Sequence, residues 1–528
     1  MLHPLVLTLF ALAPLPGHVD AATPDTSPDH CLQCHAAMQR GFSKAHAFAA
    51  RSCSSCHAGN PAASAEDSAH DGLIVFPGDF TSADRACGGC HANRVDGVAG
   101  NLMHTGHGIV RKTRAVIDGA AAADGTANFQ SLGSSVADSM LRKQCASCHL
   151  GQPKRAHALD ATRDRGGGCL ACHVNDYPED AHPALTTRVD DGRCFGCHSR
   201  SGRISLSYAG LAEIPPPADA GELPELRLAD GRAVERRPAD VHYLAGMSCI
   251  DCHTSVGLMA DAGDAAHQRE AVDVACGDCH ENDTPRLAMN DWPADLASMK
   301  KHVPFAADAD TRFLATAKNG TPLWHVELRE DGAWLHAKNT GRMLRIPELA
   351  AEHHAADSAH ERLDCAACHS QWAPQCYGCH MSFDPDGEQW DHVDRAMTPG
   401  RWSDRFWHAD NGLPALGVNA EHRIEPFVPG MIMTVEHPEQ DEALFVRRFA
   451  PLSPHTSGAS RSCESCHRSD RALGLGVGNE LQDGLPADAW TNSDNSLGGR
   501  APMPGQRPFS AAEMRTIREA DLRRAADD

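Results

Sequence analysis

Cysteine and histidine recur in this chain in one fixed pattern: two cysteines separated by two residues, with a histidine directly after the second cysteine. Eleven copies of the pattern account for all 22 cysteines. Thiols and imidazoles bind transition metals and react with redox cofactors, so the pattern predicts such chemistry at eleven places, numbered sites 1 to 11 in chain order. The cysteine pairs are Cys31 and Cys34, Cys53 and Cys56, Cys87 and Cys90, Cys145 and Cys148, Cys169 and Cys172, Cys194 and Cys197, Cys249 and Cys252, Cys276 and Cys279, Cys365 and Cys368, Cys376 and Cys379, and Cys463 and Cys466. The histidines that follow are His35, His57, His91, His149, His173, His198, His253, His280, His369, His380 and His467.

Four kinds of site use cysteines at this spacing: zinc knuckles, iron–sulfur clusters, disulfides and attached haem. The first three make no demand for a histidine at the next position. Histidine fills 33 of 528 positions, about one in sixteen, so its presence after all eleven pairs is not chance. The pattern C-x-x-C-H is the attachment signature of c-type haem. The sequence therefore predicts eleven covalently bound haem c groups.

A helical turn at each motif would position these residues. Residues i and i+3 share a face of a helix, so both thiols can reach the two vinyl groups of one porphyrin. The histidine then lies under the iron as the proximal ligand. Because no cysteine remains outside the motifs, we expect no disulfide, no cysteine nucleophile and no thiolate metal site.

The second axial ligand of each iron is expected to be another histidine. Beyond the eleven motif histidines there are 22 others, and two of these, His3 and His18, lie in the N-terminal apolar region. Two nitrogen ligands favour six-coordinate iron with a low reduction potential. Methionine is the alternative ligand, but it more often packs against apolar surface in a protein core. We predict seven distal ligands that stand shortly before a motif: His46, His157, His182, His242, His267, His360 and His455. Further candidates are His70, His104, His107, His302, His353, His354, His392 and His422, whereas His325 and His336 lie in a strand-like stretch and are not expected to be ligands.

The composition is short of ordinary core material. Hydrophobic residues make up 41% of the chain and aromatic residues 5%, with 45 glycines and 33 prolines. The 528 residues give only 48 per motif, too few to enclose each macrocycle in protein alone. We therefore expect a loop-rich chain whose haems pack on one another.

The motifs between Cys31 and His467 resemble those of the multihaem c-type cytochromes, here with eleven haems. This resemblance implies a mostly irregular fold with short α-helices, wrapped around stacked haems along which electrons hop. It also implies that upstream histidines often cap a neighbouring haem. The segment ADVHYLAGMSCIDCHT is similar to a passage in octahaem enzymes of the tetrathionate reductase type, which, like hydroxylamine oxidoreductases, are multihaem enzymes.

Residues 1–22 are predicted to be a signal peptide. Their apolar run from Leu5 to Leu15 is ended by prolines, and a membrane-spanning helix needs about 18 or more apolar residues. No later stretch is long enough, so we expect no transmembrane segment in the mature chain and a periplasmic or extracellular location. The net charge of −22, without a basic block, argues against a nucleic-acid partner.

Motif spacing predicts the organisation of the rest of the chain. The gap at 303–350 alternates apolar and polar residues and predicts small β-hairpins, and tryptophans such as Trp402 are expected to cover haem faces. The six residues between His369 and Cys376 predict two haems close together with near-parallel rings. The predicted segments are a six-haem module (23–201), a Pro-rich haem-free linker (202–240), a two-haem segment (241–302), a β-like insertion (303–350), a tight two-haem pair (351–380), a haem-free aromatic segment (381–454), the last haem site (455–475) and a polar tail with a short helix (476–528).

Three functions fit this sequence. The first is electron transfer along the haem chain in anaerobic or extracellular respiration, between redox proteins such as another cytochrome or a quinol-oxidising complex and an acceptor that can be extracellular. The second is an oxidoreductase that reduces a sulfur or nitrogen oxyanion at one open haem. The third is a subunit of an extracellular cytochrome filament. Every motif is regular and no catalytic residue is identified, which favours electron transfer over the enzyme.

Overall fold

The fold is described from a computed structural model of the chain. It describes residues 29–39, 41–119, 122, 127–153, 166–174, 181–199, 205–214, 226–228, 230–260, 268–349, 360–376, 379–406, 409–440, 444–474, 500–502, 505–520 and 522. The predicted signal peptide, most of the polar tail and part of the predicted linker lie outside these residues.

Most helices are short, and eight of the described α-helices include residues of a cysteine motif. Helices of four or five residues are not stable alone in water, so tertiary contacts must hold these turns. The α-helices are α1 Ser54–His57, α2 Glu66–Ala69, α3 Gly89–Ala99, α4 Leu102–Thr105, α5 His107–Ile117, α6 Val136–Met140, α7 Leu170–His173, α8 Asp191–His198, α9 Ser205–Tyr208, α10 Val241–Ala245, α11 Cys249–Cys252, α12 Ser255–Met259, α13 Gln268–Ala271, α14 Gly277–His280, α15 Cys365–His369, α16 Cys463–His467 and α17 Ala511–Glu519. Short stretches of 3-10 helix cover His30–Gln33, Ala36–Gln39, Lys44–Ala50, Phe129–Ser131, Ala146–Cys148, Met289–Asp291 and Ala294–His302, and π-helical turns cover Asp84–Gly88 and Leu141–Cys145.

Strands form five sheets in the described part of the chain. The strands are β1 Leu211–Glu213, β2 Leu226–Arg227, β3 Ala233–Arg236, β4 Arg286–Ala288, β5 Arg312–Leu314, β6 Val326–Arg329, β7 Gly332–His336, β8 Met343–Arg345, β9 Gln375–Cys376, β10 Cys379–Asp391, β11 Ala396–Phe406, β12 Ala409–Asp410, β13 Ala415–Val418, β14 Ile424–Glu436, β15 Leu444–Pro451 and β16 Arg500–Pro502. The sheets have the strand orders β1-β3-β2, β4-β5, β6-β7-β8, β9-β12 and β11-β10-β14-β15-β16, with β13 also paired to β14.

The stretch from β6 to β8 is an antiparallel meander within the region where the sequence predicts β-hairpins. Strands β6 and β7 are joined by a tight turn at which Gly332 adopts φ 124°, a value that glycine tolerates. Val326 and Leu335 are buried in the core of this small sheet, and Met247 and Cys279 pack against it. The meander therefore braces the segment that carries sites 7 and 8.

The segment 379–451 contains the longest strands of the described chain, which the sequence analysis did not predict. Met381 and Trp402 lie on paired strands and pack with Ile117 and Met140 in one apolar cluster. Trp402 is only 2% exposed, and its indole N–H donates to Ser139 Oγ at 3.1 Å. This tryptophan thus covers a helix of the N-terminal region, where the sequence analysis expected it to cover a haem.

The predicted linker 202–240 also contains structure, the three-stranded sheet of β1, β2 and β3. Its central strand, β3, buries Ala233 and Val234, which anchors the described part of this segment. None of the described helices has the length and apolar character needed to cross a bilayer.

Candidate haem-binding sites

The cysteine motifs lie on helical turns at ten of the eleven sites. At five of these sites the backbone N–H of the motif histidine donates to the carbonyl of the first cysteine, with N···O distances of 2.9 to 3.1 Å. That hydrogen bond closes one helical turn, so the two cysteines share a face and the histidine follows directly beneath them. These five histidines are His35, His57, His173, His253 and His280.

Site 10 differs from the predicted helical turn. Cys376 ends strand β9 and Cys379 begins strand β10, which pairs with β11 and β14. The side chains of both cysteines lie outside the described atoms, so the predicted parallel stacking of sites 9 and 10 does too. His380 is described, and its Nδ1 lies 2.6 Å from Thr434 Oγ1.

The motif histidines share a hydrogen-bonding pattern that favours metal binding through Nε2. In five of them Nδ1 lies 2.6 to 3.0 Å from a backbone carbonyl oxygen. A carbonyl can only accept, so Nδ1 carries the proton and the lone pair is on Nε2. The five contacts are His57 to Ile74, His173 to Thr186, His280 to Pro347, His369 to Gly458 and His467 to Ile517.

A second imidazole faces the motif histidine at seven sites. The ring centres lie 5.5 to 6.3 Å apart. Two imidazoles bound through Nε2 to opposite sides of one metal ion, with bonds of about 2 Å, have ring centres about 6 Å apart. The spacing therefore fits one iron between each pair. The pairs, motif residue first, are His35 with His70, His57 with His182, His91 with His46, His149 with His104, His253 with His455, His280 with His242, and His467 with His360.

Five of these partners belong to the predicted distal ligands, and each faces a site other than the one it precedes. His46, for example, precedes site 2 but faces His91 of site 3. His70 and His104 belong to the further candidates. The described residues place no second imidazole against His173 or His198. The remaining predicted ligands, His157 and His267, lie outside the described residues, as do His353 and His354.

The partner imidazoles are also held through Nδ1. His104, His182 and His455 lie 2.7 to 3.1 Å from backbone carbonyl oxygens. By contrast, His325 uses Nε2 for a 3.0 Å contact with the Asp251 carbonyl, and His336 uses Nε2 for a 2.9 Å contact with Glu327. The sequence analysis did not expect these two histidines to be ligands, and in both of them the ring nitrogen that a haem iron would bind is already hydrogen-bonded.

Burial favours the neutral form of several site histidines, which is the form that binds metal. Burial and, to a smaller extent, nearby imidazoles lower the pKa of His149 and that of His253 to about 4. Burial also lowers the pKa of further site histidines, namely His46, His91, His182, His198, His360 and His455.

Site 4 has one additional polar group that the sequence analysis missed. The side-chain nitrogen of Gln130 lies 3.0 Å from His104 Nε2 and 3.2 Å from His149 Nε2. The amide thus occupies the position between the two ring nitrogens, and it must turn away for an iron to bind there. No sequence signal marks Gln130, because it comes from a 3-10 turn 19 residues before His149.

One continuous cavity connects the sites. Its volume is ≈ 7030 Å³, and cysteines from every site except site 10 line it. A pocket for one ordinary ligand measures roughly 300 to 1,000 Å³, so this cavity has room for on the order of ten such groups. The residues present therefore fit haem at these sites, by their helical cysteines, their paired imidazoles and the space between them.

Thiols of different sites approach one another in a definite order. The Sγ atoms of Cys31 and Cys53 lie within 4.8 Å of one another, and the thiols of Cys194 and Cys249, and of Cys276 and Cys365, are close enough to shift each other's pKa. At five other cysteines, burial raises the pKa of the thiol, and a thiol of the neighbouring site contributes to the same rise. The five pairs, with the affected cysteine first, are Cys56 with Cys90, Cys87 with Cys169, Cys172 with Cys194, Cys279 with Cys252, and Cys368 with Cys463. These electrostatic interactions indicate the series of sites 1, 2, 3, 5, 6, 7, 8, 9 and 11. Site 4 lies beside it, where the Cys148 thiol is 3.9 Å from the carbonyl oxygen of Cys197.

Comparison with protein-family models, with curated proteins and with solved structures found no match for this chain. The function proposed for it therefore depends on its own motifs and on their geometry.

Proposed function

We propose that this chain is a multihaem c-type cytochrome that carries eleven covalently attached haems and transfers electrons along them outside the cytoplasm. Its donor would be another cytochrome or a quinol-oxidising complex, and its acceptor another redox protein or an extracellular electron acceptor. The observation that carries the proposal is the pairing of motif imidazoles with second imidazoles about 6 Å away along one cavity. Bound haem supplies one-electron exchange between two oxidation states of its iron.

At the seven sites with a facing imidazole, three groups of residues would hold the cofactor. The two thiols would tether the porphyrin, and the motif imidazole and the facing imidazole would both bind its iron. Two axial imidazoles leave no position for a substrate, which favours electron transfer over catalysis. The carbonyl acceptors at Nδ1 fix the ring orientation and raise the basicity of Nε2, which favours the ferric state and a low potential.

The arrangement of sites in series favours a path for electrons over isolated redox centres. Neighbouring sites are close enough for their thiols to touch or to interact through their charges. Haems attached to those thiols would therefore be neighbours along the series.

The proposal is tested on the protein purified after expression with export and haem attachment. A pyridine haemochrome assay and the intact mass should both give eleven haems per chain, and CO added to the reduced protein should change the spectrum little. A count far below eleven would contradict the assignment of the motifs. Binding of CO together with turnover of nitrite, sulfite or tetrathionate would instead favour the oxyanion reductase.

A further inference from the structure

Asp240 connects two neighbouring haem sites through its two carboxylate oxygens. The residue is 2% exposed. Its Oδ1 accepts from His242 Nδ1 at 2.8 Å and from the His242 backbone N–H at 2.9 Å. Its Oδ2 accepts from the backbone N–H of Ser457 at 2.6 Å. The Asp240 carboxylate is therefore held by hydrogen bonds at each of its two oxygens.

The two hydrogen-bonded segments lead to different sites. His242 faces His280 of site 8, with ring centres 6.2 Å apart. Ser457 lies two residues after His455, whose ring centre is 6.3 Å from that of His253 of site 7. Sites 7 and 8 are consecutive in the series of thiol contacts.

The acceptor at His242 differs in charge from those at the other partner imidazoles whose Nδ1 contact is described. His104, His182 and His455 contact neutral carbonyl oxygens, and His46 lies 3.3 Å from the neutral hydroxyl of Ser43. A carboxylate draws the Nδ1 proton more strongly than a carbonyl does, because the hydrogen bond is charge-assisted. The imidazole then binds iron more strongly in its ferric state, which lowers the reduction potential.

We propose that Asp240 is a positioning residue that makes site 8 lower in potential than the adjacent site 7, while fixing the loop that presents His455. This inference rests on the proposed function, since it concerns the same sites. Site 8 lies between sites 7 and 9 in the series. An electron that moves from site 7 to site 8 therefore passes to a haem of lower reduction potential, which is energetically unfavourable. Asp240 therefore controls the rate at which the two halves of the series exchange electrons.

The test is Asp240→Asn in the full-length, haem-loaded protein. The amide keeps the size of the side chain and removes its charge. We expect eleven haems to remain and one haem to shift its midpoint potential upward by at least a tenfold change in its redox equilibrium, which is about 59 mV for one electron. We also expect one low-spin EPR signal to change. The measurements are potentiometric titration followed by absorbance and EPR.

The matched control is Asp190→Asn. Asp190 begins helix α8 of site 6 by accepting from the Gly192 N–H at 2.8 Å, and it makes no described contact with an imidazole. Unchanged potentials in Asp240→Asn, or the same shift in both variants, overturn the proposal while the haem count still upholds the proposed function. If Asp240→Asn does not accumulate, Asp240→Glu decides: the retained charge should keep the low-potential signal, and its loss overturns the proposal.

Discussion

At the scale of single residues, the proposed ligands differ from other histidines in which ring nitrogen carries the proton. Where Nδ1 donates to a carbonyl, Nε2 is available and a second imidazole often faces it, as at His57 and His280. In His325 and His336, by contrast, Nε2 contacts the Asp251 carbonyl and Glu327. Site 4 is the exception among the paired sites, because the Gln130 amide lies against both Nε2 atoms and must turn away for an iron to bind. The tautomer is thus set by local acceptors, which a spacing rule along the chain does not contain.

Replacement of a facing imidazole should open one haem. We expect His182→Ala to leave His57 as the single axial ligand of site 2, since these rings face one another at 6.0 Å. The reduced variant should bind about one CO more per chain than the wild type, and one low-spin EPR signal should become high-spin. The measurement is CO titration followed by absorbance, with EPR on the oxidised protein.

The matched control for this prediction is His336→Gln. His336 is part-buried like His182, but its Nε2 contacts Glu327. It should bind CO as the wild type does. Equal CO binding by both variants would contradict the assignment of His182 as a ligand.

At the scale of elements, the short helix α17 shows how an element outside the cysteine motifs can hold a motif histidine in position. Ser510 and Glu513 form a capping box at its first turn. Glu513 also accepts two hydrogen bonds from Arg507, at 2.6 and 3.0 Å, and lies 3.3 Å from Arg362. Near its end, the Ile517 carbonyl accepts from His467 Nδ1 at 2.6 Å. The helix therefore orients the proximal ligand of site 11.

The ion pairs of Glu513 should make the stability of this helix depend on pH. Hydrogen bonds from Arg507 lower the pKa of Glu513 from 4.5 to about 2. A carboxyl whose pKa is lowered by folding stabilises the fold above its unfolded pKa and loses that contribution as pH falls through its folded pKa. We expect Glu513→Gln to lower the free energy of unfolding by about 1 kcal/mol at pH 7, after allowing for solvent screening.

That difference should shrink as pH falls from 4.5 towards 2, and urea unfolding at several pH values measures it. The control is Glu519→Gln, which makes the same change at an exposed position of the same helix. A deficit for Glu513→Gln that stays constant down to pH 3 would show that the ion pair with Arg507 is not its cause.

At the scale of the whole molecule, the order of sites in space departs from their order in the sequence. The thiol of Cys169 at site 5 raises the pKa of Cys87 at site 3, and the thiol of Cys463 at site 11 raises the pKa of Cys368 at site 9, so these sites are neighbours. Site 4 lies beside this series, close to site 6. Removing site 6 should therefore divide the path, whereas removing site 4 should not.

This order is tested by removing one attachment motif at a time. The variants are Cys194→Ala with Cys197→Ala at site 6, and Cys145→Ala with Cys148→Ala at site 4, each of which should carry ten haems. A photoreductant is attached through Glu66→Cys, an exposed position in helix α2 near His70 of site 1. We expect the site 4 variant to equilibrate the haems of the whole series in the fast phase, and the site 6 variant only the four haems of sites 1, 2, 3 and 5. Equal fast-phase amplitudes would contradict the proposed series.

The sequence alone determined the chemistry of the sites. Eleven regular motifs predict which residues would tether and bind a haem, because attachment needs two thiols and an imidazole within five consecutive residues, a spacing that a helical turn brings together. Histidines such as His242 and His455 could be nominated as second ligands for the same local reason. The small β-meander followed from its alternating residues and turn glycine.

Only the tertiary structure decided which histidine faces which motif, since the partners come from distant parts of the chain: His455 faces His253, and His182 faces His57. It also decided the order of the sites, the role of Asp240 and the long strands after site 10. These features depend on contacts between segments far apart in sequence, such as the Asp240 carboxylate with Ser457 or Trp402 with Ile117. Spacing along the chain carries no information about them, because the free energy that selects them comes from packing and hydrogen bonding across the fold.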